Sequence, residues 1–361
     1  MNRKVAVFFA VSVLLVTAAG AVIYVNLNDD GSDIRIACGT KNCYEPIWLA
    51  DGYGLFDREG VDAQLLYVDG GGSAVTSILD GTADITIVGA DPAVRMMETG
   101  GGYVIGVMQM PDSASGLEEF AYRSGMGIDL NDASTFLNPD GTVRVVCGLD
   151  RTTGYYSGYV SYLYGQMEAG NIDECQYMTL KDSGIVHLES YNQAASLING
   201  DIQMLCGGNT VTIAGSHEGI ETGCSPGGSV IGTCYIICSD QAYDQNHDSV
   251  VRVLRALDGA CRMIEDPSTS AEAAEFCAEY YGSESWTADT QSRFFSGYYW
   301  DVCICTDMAE RLEFTADILG YEGRDYSGRM MSGAVVEAHL TISYYHGNYL
   351  YDSDKGELIE A

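Results

Sequence analysis

Five short stretches of this chain carry side chains suited to gripping a small polar molecule. Stretch 40–45 supplies Thr40, Lys41, Asn42 and Tyr44, and stretch 69–73 supplies Gly72 and Ser73. Positions 90–91 supply Asp91, stretch 150–155 supplies Thr152, Thr153 and Tyr155, and stretch 207–210 supplies Asn209 and Thr210. Each stretch is predicted to lie where a strand ends and a helix begins. In open parallel α/β sheets ligands bind there, because the first N–H groups of a helix lack partners and its dipole attracts partial negative charge. Hydroxyls and amides supply donors and acceptors, and glycine lets a ligand approach the backbone. Taken singly, Thr152, Ser73 or Asn209 serves equally well as a helix cap. Convergence of five such loops is what argues for binding.

The same chain lacks a reaction centre. His187, His217, His247, His339 and His346 are scattered, with no acidic partner at metal-ligand spacing, and there is no G-x-S-x-G elbow. No catalytic residue, metal site or cofactor is expected. The glycine runs 70–72 and 100–102 lack the strand-to-helix context and the downstream acidic residue of a dinucleotide fingerprint, and read as turns. Lys4, Lys41, Lys181 and Lys355 are the lysines, and none sits in a phosphate-binding loop pattern. The charge balance, 18 Lys+Arg against 51 Asp+Glu or 18 − 51 = −33, repels a phosphate backbone and excludes nucleic acid as a partner.

The N-terminus places the rest of the chain. After Arg3 and Lys4 comes an uncharged stretch, 5–25, followed by the polar, acidic run 28–33. About 20 apolar residues are needed for a helix to cross the hydrocarbon core, more than a signal peptide requires, so the length favours an uncleaved anchor over residues 1–27. The small-x-small pattern Ala19-Gly20-Ala21 offers the alternative, cleavage of a signal peptide and release. In both cases the basic flank stays inside and the folded part lies outside the membrane. The 12 cysteines are compatible with full pairing and contain no C-x-x-C pair, which removes zinc-ribbon and thioredoxin readings. Cys38, Cys147, Cys206 and Cys234 lie in apolar, strand-like runs and are expected as buried thiols.

An internal echo organises the elements that must position the five loops. Ile34-Arg35-Ile36-Ala37-Cys38-Gly39 returns as Val143-Arg144-Val145-Val146-Cys147-Gly148. Likewise the run from Ser77 through Gly81 to Gly89 returns as the run from Ser196 through Gly200 to Gly207. Strands are predicted at 34–38, 63–68, 84–88 and 103–109, with helices at 46–56, 72–80 and 92–99 between them. The second half repeats this with strands at 143–147, 176–180 and 201–206 and helices at 153–168 and 188–199. Strands alternating with helices mean parallel β-α-β units, hence two α/β lobes. Stretch 112–141 reads as a loop-rich crossing. A strand at 229–238 and helices at 241–264, 270–281, 287–300, 306–319 and 332–345 follow, returning the chain to its first lobe. The expected organisation is 28–113 plus 227–345 as lobe 1, 114–226 as lobe 2, and 346–361 as an acidic, frayed tail.

Two motifs carry a family resemblance. The run Glu45-Pro46-Ile47-Trp48-Leu49-Ala50-Asp51-Gly52-Tyr53-Gly54-Leu55-Phe56-Asp57-Arg58-Glu59-Gly60-Val61-Asp62 resembles the first helix of extracytoplasmic substrate-binding proteins of ABC importers, in the nitrate/sulfonate/taurine and thiamine-precursor group. The run from Ser77 to Gly89 resembles that group's following element, and the order agrees over roughly 34–345. The resemblance implies a type II periplasmic-binding-protein fold, two α/β lobes closing about a hinge on a small polar or anionic solute, which is handed to a membrane permease with a cytoplasmic ATPase. An enzyme resembling the pyrimidine-precursor synthases of a related branch is the alternative. Lys41 suits an anionic group, whereas Glu45, Asp91 and Asp150 repel one unless they point away or pair with Arg151. Tyr44, Trp48, Tyr155 and Tyr156 suit a flat heterocycle, although Trp48 and Tyr156 equally suit a helix core face. Ligand identity stays open.

Overall fold

A computed structural model of the protein describes residues 32–39, 43–111, 119–150, 154–188, 190–224, 232–282, 286–304, 308–339, 349–352 and 357–360. The expected anchor or signal peptide at 1–27 lies outside them. No helix among the described residues is long and apolar enough to cross a membrane.

Strands β1 (Ile34–Cys38), β2 (Ala63–Tyr67), β3 (Ile85–Val88) and β4 (Gly102–Pro111) alternate with helices Glu45–Gly52, Leu55–Glu59, Gly71–Leu79 and Ala90–Thr99. The chain then builds β5 (Phe120–Arg123), β6 (Cys147–Leu149), helices Tyr155–Glu168 and Glu174–Ser183, β7 (Ile185–His187) and helix Ser190–Asn199. β8 (Met204–Cys206), helix Asn209–Gly215 and β9 (Ile220–Gly223) complete that part. After β10 (Cys234–Ser239) come helices His247–Glu265, Ser270–Tyr281 and Ala288–Phe295, β11 (Tyr298–Cys303), and helices Met308–Ile318 and Gly333–His339.

Among the described residues two large sheets result, ordered β11-β4-β10-β3-β1-β2 and β7-β6-β8-β5-β9, beside a two-stranded C-terminal hairpin. In each, three strands run parallel: β1 pairs with β2 and β3, and β6 with β7 and β8. These triplets are the structural form of the sequence echo. The chain crosses to the second sheet between β4 and β5 and returns between β9 and β10. β3 and β10 are buried along their whole length, as strands covered by helices on both faces must be. Ile34, Ile36 and Cys38 of β1 point into one core layer and Ala37 into the other. At the start of β1 the Arg35 guanidinium grips the Asp84 carboxylate through two 2.9 Å contacts, tying β1 to the entry of β3. Gly81 and Gly200 both take the left-handed backbone expected between a helix and the next strand, with φ of 74° and 88°.

Several expected elements differ. Stretch 176–180 is not a strand but part of helix Glu174–Ser183, because Asp173 and Gln176 form a reciprocal capping box that starts a helix there. The strand beside β6 is Ile185–His187 instead. The strand expected at 143–147 begins only at Cys147: the amides of Arg144 and Val145 bond to the Phe136 carbonyl, and that of Val146 to the Gln203 side chain. The helix expected over 287–300 stops at Phe295, and Tyr298–Cys303 becomes the edge strand β11 against β4. Within 112–141 the strand β5 and a short 3₁₀ turn, Ala133–Phe136, break the expected loop. At the C-terminus, Tyr349–Asp352 and Glu357–Glu360 pair as an antiparallel hairpin where a frayed tail was expected.

Helix Met308–Ile318 bridges the two halves. It packs on helix Ala90–Thr99 and on helix Tyr155–Glu168, with Leu312 and Ala316 in the first half's core and Ile318 against the second's. The four cysteines expected as buried thiols, Cys38, Cys147, Cys206 and Cys234, are buried.

Candidate functional site

β3 ends at Val88, and Gly89 in extended conformation caps helix Ala90–Thr99, so Ala90 and Asp91 stand at the carboxyl end of the first sheet. Gly154 caps helix Tyr155–Glu168 beyond the carboxyl end of β6 in the second sheet. These two helix starts meet. A Cβ added to Gly154 would lie 3.1 Å from the Ala90 amide nitrogen and 3.7 Å from the Gly89 Cα, so the two backbones approach closely across the seam.

Asp91 lies at this seam with no solvent exposure, and neither carboxylate oxygen has a hydrogen-bond partner. Burial raises its pKa to about 7; the hydroxyl and amide of Ser157 across the seam, and Arg95 one turn along its own helix, oppose the rise. A cavity of about 190 Å³ opens beside it. Its walls are Ala90; Gly154, Ser157, Gly158 and Ser161; Gly232, Thr233 and Tyr235 at the returning strand; and Arg311, Phe314 and Thr315 of the bridging helix.

A second group of buried side chains spans the two halves behind Tyr155. Burial drives the Tyr155 phenol well above its ordinary range, with Cys234 and Cys43 of the first half and Cys206 of its own half as neighbours, while the Gly208 backbone opposes the shift. Tyr298 is raised in the same way by burial, next to Tyr155, Cys234, Glu119 and Glu45. Glu45 is buried and turned inward: its carboxylate accepts from the Cys43 amide at 2.8 Å and the Gln291 side chain at 3.4 Å. Burial raises its pKa to about 7 against these hydrogen bonds. Cys43 holds a φ of 87°, rare for a residue with a side chain, at the point where the first loop turns into its helix.

Of the expected lining residues, Thr40, Lys41, Asn42, Thr152 and Thr153, with the neighbouring Arg151, lie outside the described residues. Tyr44 is buried, its ring edge against Gly39. Gly72 and Ser73 are exposed on the first turn of helix Gly71–Leu79, where their carbonyls accept from the Thr76 and Ser77 hydroxyls. Asn209 begins helix Asn209–Gly215, and the buried Thr210 hydroxyl donates to the Gln193 side chain at 3.1 Å. Asp91 and Tyr155 each adjoin a wall residue of the seam cavity, and Tyr155 packs near Gly207. Trp48 is withdrawn from any ligand: it is fully buried and stacks on Tyr280 with ring centroids 4.8 Å apart. Tyr156 packs against the second half's core. Reading loops alone misses Ser157, Ser161, Thr233, Tyr298 and Arg311. Ser157 was within reach, since the third residue of a helix still carries a free N–H. The others come from elements distant in sequence. Among the described residues no group of three or more His, Cys, Asp or Glu is arranged to hold a metal.

The sequence matches no protein-family model and no curated protein. Solved structures do resemble it in fold. The alkanesulfonate-binding protein SsuA of Xanthomonas axonopodis pv. citri bound to MOPS superposes with a TM-score of 0.61 at 13% identity, covering 84% of this chain and 96% of that one. The periplasmic nitrate-binding protein NrtA of Synechocystis PCC 6803 gives 0.64 at 12% identity, covering 86% and 88%. The ligand-binding component of an ABC-type import system from Staphylococcus aureus gives 0.64 at 11% identity, covering 84% and 98%. The chain has the type II periplasmic-binding-protein fold, two α/β lobes joined by a hinge.

Proposed function

We propose that this chain is the extracytoplasmic solute-binding component of an ABC importer. It captures a small polar solute by lobe closure and delivers it to a membrane permease driven by a cytoplasmic ATPase. The observation that carries this reading is the seam: the helix starts at Ala90 and Gly154, one from each lobe, face each other across a hinge crossed twice by the chain. Hinge closure around a ligand needs converging backbone donors and no reacting group. In this reading lobe 1 comprises 28–113 and 227–345, lobe 2 comprises 114–226, and residues 1–27 either anchor the protein or are removed on export. The cleft then draws on Thr40, Lys41, Asn42, Tyr44, Gly72, Ser73, Asp91, Thr152, Thr153, Tyr155, Asn209 and Thr210.

A thermal-shift screen of small solutes tests the reading. A ligand at 100 times its dissociation constant stabilises the folded state by roughly 2.7 kcal/mol, a readily visible shift. Binding without turnover is the expected result. Chemical conversion of a bound solute would replace this reading with an enzyme of pyrimidine-precursor-synthase type, and binding of polycations or peptides alone would remove the cleft from the account.

A further inference from the structure

We infer that the solute carries an amine or another cationic N–H group, and that Asp91 receives it at the seam between the lobes. This rests on the solute-binding reading and narrows its ligand class. The features that would serve an external anion are two helix starts, those of Ala90–Thr99 and Tyr155–Glu168, 10 and 14 residues long. Here they converge on a carboxyl group of the chain itself. Asp91 stands in the first turn of one helix and faces the hydroxyl and amide of Ser157 in the first turn of the other. An anionic solute entering the adjoining cavity would meet this group as a like charge.

Asp91 is also incompletely satisfied. The Ser157 hydroxyl and amide lie near enough to favour its ionised form, yet neither oxygen receives a hydrogen bond of normal geometry, so the charge is left poorly compensated in a site closed to solvent. A positively charged N–H donor supplies both the missing charge and the missing hydrogen bonds. Asp91 stands behind the cavity wall formed by its chain neighbour Ala90 and by Ser157, and the Ser157 and Ser161 hydroxyls, which donate to the Gly154 and Ser157 carbonyls at 3.2 and 2.7 Å, keep lone pairs to accept from a solute. Arg95, the basic group beside Asp91, is exposed on the helix surface and stays screened by water. The surrounding field acts in the same direction, since a net charge of −33 draws cations and repels anions.

Titration calorimetry on the full chain tests this, with ethanolamine and putrescine as amine probes, β-alanine as zwitterion, and propionate, ethanesulfonate and nitrate as anions. The expected result is binding of at least one amine-bearing probe, no comparable binding of the amine-free anions, and a loss of tenfold or more in amine affinity in Asp91→Asn with the melting temperature unchanged or raised. Binding of an anion in preference to the amines overturns the inference and leaves the solute-binding reading standing. Unchanged amine affinity in Asp91→Asn also overturns it. Absence of any stabilising solute, in these probes and in the broader screen, removes both. The wild-type preference between amine and anion decides the question even where the variant fails to fold.

Discussion

Gly154 stands against Ala90 with no room for a side chain between them: a Cβ on Gly154 would lie 3.1 Å from the Ala90 nitrogen, tighter than ordinary contact. A side chain at 154 would require the Ala90 backbone to give way by a few tenths of an ångström or more. Gly154→Val is expected to weaken solute binding about tenfold, or 1.4 kcal/mol, while leaving the melting temperature nearly unchanged, because the added methyls oppose closure and not folding. Calorimetric affinity and small-angle scattering of the liganded protein check this. Unaltered affinity would show that the seam takes no part in closure.

Acid should stabilise the protein over a defined window. Glu45 and Asp91 each titrate at about 7 in the folded state because of burial, against an ordinary carboxyl value near 4. Between these values the folded state binds more protons than the unfolded one, so stability falls as pH rises through the window. The melting temperature is expected to be higher at pH 5 than at pH 8, and Glu45→Gln and Asp91→Asn should each flatten the difference. A steeper dependence in either variant would contradict the assignment.

Trp48 anchors the first helix to the aromatic cluster of Tyr280 and Tyr281 and contributes nothing to the cleft. Trp48→Ala should cost about 3–5 kcal/mol in denaturant unfolding, the usual loss for a large buried ring. A loss under 1 kcal/mol would place the side chain outside the core, contrary to its complete burial.

The capping box at Asp173 and Gln176 is what turns stretch 174–183 into a helix. Asp173→Ala should cost about 1 kcal/mol of stability, and Asp173→Asn much less, since asparagine also caps. Equal losses in the two variants would point to charge instead of the cap.

Much of the fold could be read before any coordinates. The β1 and β3 strands, the helices that follow them, and Gly81 and Gly200 at matching turns were legible because continuous apolar runs and left-handed glycines are local signals. The helix at 174–183 was misread because Met178 and Leu180 alternate with Thr179 and Lys181, although its cap was visible in the same stretch. β11 was misread because Tyr298, Trp300 and Val302 acquire their strand character by pairing with β4, nearly 200 residues earlier in the chain.

By itself, the sequence determined the repeated strand–helix grammar, the two-lobe fold class, the acidic surface and the buried character of Cys38, Cys147, Cys206 and Cys234. These follow from local pattern, composition and the strong tendency of apolar runs to be covered. Tertiary structure alone decided which polar groups face one another. It turned Glu45 inward onto Cys43 and Gln291, stacked Trp48 on Tyr280, and set the unpartnered Asp91 against Ser157. Apart from the Glu45–Cys43 contact, which is local, those relationships join residues tens to hundreds of positions apart, and their energies arise only when folding removes water from between them. No local signal in the chain encodes that step, because Asp91 is solvated in the unfolded chain and is buried only when its helix packs against elements distant in sequence.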